Sequence, residues 1–411
     1  MTRRAANQPP RVTPSELITP VPRGDAREAE PAPRVWAIIC YRQGDNSQIL
    51  AVAEALGWPF EVKRLHYRWF GYAIDVWRGT TLLGIDRRRS SPLDPPWPDV
   101  IISASRRNEP VCRWIRKKSG GLTRYVHMGR PWARLETFDL VVTSPEFRLR
   151  QLANVHHNAL TLTRVTAGKL AEAASTWAPR LAHLPRPRIA VLVGGYGGPY
   201  ALDPEKARRL GQNASAMARE AGGSLLVTTS ARTKRASVRT LKAAITVPCH
   251  FFRWAGKSAD NPFYGYLALA DSFIVTCDSA SMLAEACATR RPVYMFDLGA
   301  GHSGALSPPE EETLSRRIPR WWRDFEFDRL KAFIYRLMLK MPPRRMTRDI
   351  RLIHRFLIEE RRAVWLGQRF PASTPPPLDE MTPTVARIRE LLGRAPQDES
   401  IEARSTAAVQ G

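Results

Sequence analysis

The stretch TCDSASMLAEACATRRPVYMFDL, Thr276 to Leu298, reads as a strand, a polar turn, a helix and a second strand, and its chemistry sits in the turn. Ser279 and Ser281 fall where a helix begins, so their hydroxyls and the exposed N–H groups around Met282 suit a phosphate. Glu285 follows one turn later on the same face, where a carboxylate accepts hydrogen bonds from the two hydroxyls of a ribose. Asp278 precedes the set directly after an apolar strand end, the place where open α/β sheets bind ligands. The alternative for any one serine is an ordinary N-cap on an Ala-rich helix.

Three other constellations share that chemistry. Gly194 and Gly195 end an apolar run and open the loop GGYGGPYAL, whose glycines allow N–H groups close to a diphosphate; a plain glycine turn accounts for them equally. Thr229, Ser230 and Arg232 follow another strand in TTSARTKR and suit an anion, although capping alone explains the hydroxyls. Asn261, before a proline at a helix start in KSADNPFY, is placed to face a base or sugar, or to close a turn. The spacing G-x-G-x-x-G is absent from GGYGGPYAL and from the first turn YRQGDNSQ, which disfavours a nicotinamide-dependent epimerase or reductase. In the first half, Asp45, Glu109 and His127 are the candidate general bases, because each lies at or just beyond a strand end and deprotonating an acceptor hydroxyl requires a carboxylate or an imidazole. Beside Glu109 stand Ser103, Ser105, Arg106, Arg107 and Asn108.

Positioning these residues takes an alternating α/β chain. VWAIICY, FEVKRLHY, DVIISAS, TRYVHMG and FDLVVTS are strands, with helices in ILAVAEALG and from Pro110 to Lys118. A second set follows the proline-marked LPRPR: RIAVLVGG, GSLLVTTS, VPCHFFRW, SFIVTCD and PVYMFDL, with helices between them. Continuous apolar runs alternating with helices mean parallel, doubly wound sheets. The expected division is a disordered leader (1–33), an N-terminal Rossmann-like domain (34–165), a linker helix (166–187), a C-terminal Rossmann-like nucleotide-binding domain (188–300), a basic helical region (301–370) and a Pro-rich mobile tail (371–411) with one short helix at Val385 to Leu392. In the basic region Phe327, Leu330, Ile334, Leu337 and Met341 form an apolar stripe that packs on a domain. Its basic face, with Trp321 and Trp322, suits anionic lipid.

The net charge of +24, from 63 Lys plus Arg against 39 Asp plus Glu, calls for polyanionic partners: phosphorylated ligands, an anionic membrane surface or nucleic acid. Specific nucleic-acid binding has no supporting motif or aromatic platform. Five scattered cysteines without a C-x-x-C pair point to reduced thiols and a cytoplasmic setting rather than a disulfide framework or zinc site. No apolar run reaches membrane-spanning length and the N-terminus lacks a secretory pattern, so a soluble protein, peripheral at most on the inner face of the membrane, is expected.

GDNSQILAVAEALG, PDVIISASRRNEP, YVHMGRP, FDLVVTSPEF, LLVTTSARTKR, NPFYGYLALAD and TCDSASMLAEACATRRPVY, taken in order, resemble the elongated-mitochondria (mitochondrial fission ELM) family of plants and bacteria, over roughly Arg34 to Leu298. The resemblance implies a glycosyltransferase-B-like architecture of two Rossmann domains facing a cleft. In transferases of that architecture a serine-rich turn and a glutamate on the next helix hold the donor diphosphate and ribose, roles that Ser279, Ser281 and Glu285 match by position. The expected function is therefore transfer of a sugar from a nucleotide-diphosphate donor to an envelope or lipid-linked acceptor. No cofactor is expected, and no metal, since Asp-x-Asp is absent. The competing expectation is a non-catalytic adaptor at a membrane surface.

Overall fold

The computed structural model describes residues 31–39, 42–68, 79–197, 200–256, 260–299, 348–373 and 375–394. Most of the expected leader, the Phe327–Met341 stripe, Trp321 and Trp322 lie outside them.

Val35, Trp36, Ala37, Ile38 and Ile39 are all buried, because this strand (β1, Val35–Ile39) has cover on both faces. Parallel strands so placed have no solvent side, which is why the run is apolar throughout. With β2 (Phe60–Arg64), β3 (Val100–Ala104), β4 (Arg124–Met128), β5 (Leu140–Thr143) and β6 (Val155–His157) it forms an all-parallel sheet in the order β2-β1-β3-β4-β5-β6. Helix α1 (Gln43–Ala55) follows β1, and α2 (Glu109–Lys118) follows β3. Pro110 in the first turn of α2 costs no hydrogen bond, and three basic residues in its last turn oppose the negative end of the helix dipole.

The second sheet is parallel too. Its strands are β7 (Arg188–Val193), β10 (Ser224–Thr229), β11 (Cys249–Phe252), β12 (Ser272–Thr276), β13 (Val293–Phe296) and β14 (Val364–Trp365), ordered β11-β10-β7-β12-β13-β14. Between β7 and β10 come a short antiparallel pair, β8 (Tyr196–Gly197) with β9 (Tyr200–Ala201), and α4 (Pro204–Glu220), capped by the Asp203 carboxylate on the Lys206 N–H at 2.9 Å. Helices α5 (Arg235–Ala244), α6 (Phe263–Leu269) and α7 (Ala280–Ala288) follow β10, β11 and β12. In each sheet the strand order reverses beside its first strand, β1/β3 in one and β7/β12 in the other, and such reversals open the crevice in which ligands sit.

The α/β class expected from sequence, two doubly wound parallel sheets with C-terminal helices, is the one observed. Two segments are used differently from the expectation. The linker helix, α3 (Ala167–Leu181), packs Trp177 and Leu181 into the second core against α6, where a β-carbon on Gly265 would collide with the Trp177 side chain. The Pro-rich tail is no loose end over the residues described. After α8 (Arg351–Glu359) and β14 complete the second unit, the chain returns to the first sheet as α9 (Met381–Leu391). There Ile388 is fully buried in the first core, Thr384 meets the Asn158 amide at 3.1 Å, and the Arg389 guanidinium donates to the Leu56 carbonyl at 2.9 Å. The prolines sit before or within the first turn of α9, where missing donors cost little, so they do not bar the helix. Among the described residues no helix is long and apolar enough to cross a membrane.

If α9 is part of the first core, Ile388→Ala should destabilise the protein by about 2–5 kcal/mol, the usual cost of cutting a buried Ile to Ala. Urea unfolding followed by circular dichroism checks this, and a mobile tail would leave the midpoint unchanged.

Candidate active site

The carboxyl edges of the two sheets meet. A β-carbon added to Gly44, in the first turn of α1, would lie 2.8 Å from the Ser281 hydroxyl at the start of α7. Two helix N-termini, each beginning just after a strand beside its sheet's point of reversal, therefore face one another, and both present unsatisfied N–H groups and the positive end of a dipole.

On the second-sheet side the arrangement is organised by Asp278. Its carboxylate is 1% exposed and accepts from the Thr276 hydroxyl at 2.7 Å and the Gly195 N–H at 3.0 Å, with the Arg232 guanidinium 3.3 Å away. The Thr276 hydroxyl in turn accepts the Gly194 N–H at 2.8 Å. Gly194 is glycine because a β-carbon there would overlap the Asp278 carboxylate, and one on Gly195 would overlap the Arg232 backbone. Both N–H groups expected to approach a diphosphate are thus engaged within the protein, and the glycines serve close packing. Thr229 accepts the Trp254 N–H at 3.0 Å, and Ser230 donates to the Gly194 carbonyl at 2.9 Å, so these two also hold the loops together. Arg232 bonds the Tyr196 carbonyl at 2.7 Å with one nitrogen while its side chain stays 40% exposed, which leaves it a surface for an anion. The Asn261 carboxamide accepts the Phe263 N–H at 3.1 Å and closes the entry to α6.

Ser279 caps α7, its hydroxyl accepting the Met282 N–H at 3.4 Å. Ser281 lies half-buried at the interdomain contact, and Glu285 is buried one turn further on. Burial alone pushes the Glu285 carboxyl up to about 8, and among the described residues no hydrogen-bond donor reaches it. Tyr264 feels its charge and is itself pushed up to about 12, chiefly by burial.

On the first-sheet side the three candidate bases part company. Asp45 lies in the first turn of α1, next to Gly44 and hence beside the Ser281 contact. Glu109 is 3% exposed and its two oxygens accept the N–H groups of Trp132 at 2.6 Å and Ala133 at 2.9 Å. Burial drives its carboxyl up to about 7 against those two bonds. It pins the loop after β4. His127 is wholly buried, bonded to the Tyr125 hydroxyl at 2.9 Å and packed on Phe138, and burial lowers it to about 3. The imidazole is thus sealed from solvent and packed among aromatic rings of the first unit.

Sequence reasoning passed over Thr276, which orients Asp278, and Tyr264, beside Glu285. It also missed His354 on α8, which meets the Cys277 carbonyl at 2.7 Å directly behind the turn. A fourth omission is Glu54, which joins α1 to Lys169 on α3 at 2.5 Å and to Arg164. Although burial opposes it, these two cations hold the Glu54 carboxyl below the ordinary range. Only the hydroxyl ending β12 was visible in the local sequence, since the other partners are far apart along the chain.

Two Rossmann-like units whose carboxyl edges face one another, joined again by a C-terminal helix that returns to the first, define a glycosyltransferase-B-like architecture. Residues 43–322 match the profile of the family described as Mitochondrial fission ELM1, and the chain belongs to that family. The curated Mitochondrial fission protein ELM1 of Arabidopsis thaliana is 27% identical over 252 residues, 56% of this chain. That match spans 58% of the plant protein, under two-thirds of its length. Among solved structures, a glycosyltransferase from Rickettsia africae aligns with a TM-score of 0.37 at 9% identity, over 80% of this chain and 97% of that one. A UDP-GlcNAc 2-epimerase from Methanocaldococcus jannaschii aligns with a TM-score of 0.39 at 10% identity, over 79% and 99%.

Because a β-carbon at Gly194 enters the space of the Asp278 carboxylate, Gly194→Ala should cost about 1–3 kcal/mol as overpacking. A thermal melt of the two proteins measures it, and an unaltered melting temperature would show that Asp278 yields freely.

Proposed function

We propose that the chain binds the nucleoside diphosphate of a nucleotide sugar at the start of α7 and transfers the sugar to an envelope or lipid-linked acceptor held by the first unit. Glu285 carries this reading. A buried carboxyl group that no donor among the described residues reaches is costly to leave unpaired, and the vicinal hydroxyls of a ribose have the right chemistry to pair it. The first-turn N–H groups and hydroxyls of α7, with Arg232 near β12, supply the complementary charge for the diphosphate. Of the three candidate bases Asp45 lies beside the Gly44–Ser281 contact, whereas both Glu109 oxygens accept backbone N–H groups and His127 is buried, and Asp45 takes the acceptor proton as the acceptor oxygen displaces the nucleoside diphosphate. The net charge of +24 supports anionic partners in general, a membrane surface among them.

The pH dependence of binding follows from Glu285. Its carboxyl sits at about 8 in the free protein, so the protonated form dominates at neutral pH. Hydroxyl donors from a ribose favour the carboxylate and lower that value in the complex, so binding releases a proton. Affinity for UDP should therefore rise with pH, by up to about tenfold per unit, and level off above about pH 8. Glu285→Gln should bind UDP more weakly and lose the pH slope. Calorimetry in buffers of different ionisation enthalpy reads both, and a slope that survives in the variant would remove Glu285 from the site.

The second reading is a binding protein without turnover, a non-catalytic adaptor at a membrane surface. The structural engagement of Glu109 and His127 favours it, since two of three base candidates are spoken for. Donor turnover with cell-envelope extract separates the two. Asp45→Asn should lose about 10²- to 10⁴-fold in rate while UDP affinity holds. A wild-type protein that binds UDP and turns over with no acceptor fraction would establish the adaptor reading.

A further inference from the structure

Arginines line the carboxyl edge of the first sheet. The loop after β1 carries Arg42, the loop after β3 carries Arg106 and Arg107, the loop after β4 carries Arg130 and the loop after β5 carries Arg148. These four strands are parallel and adjacent, so the loops lie side by side. Asp45 stands on the same edge in the first turn of α1, and the other acids there have fixed uses. Both oxygens of Glu109 are used by the N–H groups of Trp132 and Ala133, and Glu146 is paired with Arg348 at 3.1 Å. Arg148 is answered by Asp349. Arg106 is different: its guanidinium lies over the Trp132 ring, 5.0 Å from the centroid, and it makes no ion pair among the described residues. Trp132 is itself 43% exposed, an uncommon state for so large an apolar side chain.

The turn presenting Arg106 is built rather than loose. Ser105 holds a left-handed backbone, φ +73°, which a residue with a β-carbon keeps only when its surroundings impose it. They do so through Asn108, fully buried, whose N–H donates to the Ser105 carbonyl at 3.1 Å. The Asn108 amide donates to the Ile38 carbonyl at 3.1 Å and to the Ser103 hydroxyl at 2.9 Å, and Tyr67 donates to its oxygen. Ile38 belongs to β1 and Ser103 to β3, so Asn108 ties together the two strands flanking the reversal of the first sheet.

We infer that this edge recognises a phosphate-bearing group on the acceptor. The Arg106 fork bonds the phosphate oxygens in bidentate fashion, Arg107 and Arg130 add to the local positive field, and the exposed Trp132 ring packs against the apolar part of the same molecule. This rests on the reading of the facing edge as the donor site, since the Gly44–Ser281 contact sets the two edges opposite one another.

The test is calorimetric titration of inorganic pyrophosphate into full-length protein already saturated with UDP, so that the second-sheet site is filled. Arg106→Gln should weaken pyrophosphate binding by about tenfold or more, as expected for loss of a charged bidentate contact, and leave UDP affinity within about twofold. A parallel arm floats wild type and Arg106→Gln with phosphatidylcholine vesicles with and without phosphatidic acid. An effect of the substitution confined to the phosphatidic-acid vesicles assigns the phosphate to a lipid, and one confined to pyrophosphate assigns it to a soluble group. Equal behaviour of the two proteins in both arms overturns the inference. If UDP does not bind, the donor reading fails by itself. Pyrophosphate titrated without UDP, comparing Arg106→Gln with Arg232→Gln, then still reports on the first-sheet edge, and a loss in Arg232→Gln alone overturns the inference as well.

Discussion

The buried Asp278 carboxylate is the constraint on which the second unit's edge depends. One side chain joins the end of β12 to the glycine turn after β7 and to Arg232 beyond β10, so three loops from three strands take their relative positions from a single charge. A carboxylate with two donors and a guanidinium is satisfied where it sits, whereas an uncompensated one would be expelled or neutralised. Its demands propagate: Gly194 and Gly195 must be glycine to approach Asp278 and Arg232, Thr276 must offer a hydroxyl, and α7 begins where Ser279 can cap it. His354 supports the same turn from behind through the Cys277 carbonyl, and burial lowers its imidazole to about 4, so it is neutral at physiological pH. A neutral ring adds no second positive charge beneath the Asp278–Arg232 pair.

The contrast between Asp278 and Glu285 separates construction from recognition. Both are buried carboxyl groups on the same strand-turn-helix unit, one in the turn and one on the helix, and one is saturated while no donor among the described residues reaches the other. The first-sheet edge repeats the division, with Glu109 saturated by backbone donors and Arg106 lying on an aromatic ring with no ion pair among the described residues. In both units the groups that hold the loops are distinct from the groups that lack such a partner among the described residues.

Much of this was legible in the sequence, for identifiable reasons. Strands covered on both faces must be apolar throughout, so β1, β7 and β12 announce themselves, and Ser279 before an Ala-rich segment marks the start of α7. The uses of Glu109, Gly194 and Thr229 were not legible, because each depends on a partner brought near by the sheet order: Glu109 reaches 23 residues along the chain and Gly194 reaches 82. Local sequence placed these residues at strand ends without saying whether they faced a ligand or a neighbour. β14 is two residues long and β6 is three, too short for periodicity to register. The helix of α9 was legible from Val385 on, but its start at Met381, ahead of Pro383, and its return to the first core were not, since a proline in the first turn is tolerated there and its partners lie far back along the chain.

That returning helix also sets an order of events in the cell. The first unit is encoded first, yet its core lacks Ile388 and its Asn158 lacks Thr384, which lies 226 residues downstream. At about 5–20 residues per second, translation separates these partners by on the order of ten seconds or more. During that interval the face of the first sheet that α9 will cover is open, while the second unit forms on the ribosome behind it. The usual rule that an N-terminal domain matures before its neighbour emerges cannot apply in full. Here the earliest-made core is among the last to close, and the nascent chain must keep an apolar surface from other partners until its own helix arrives.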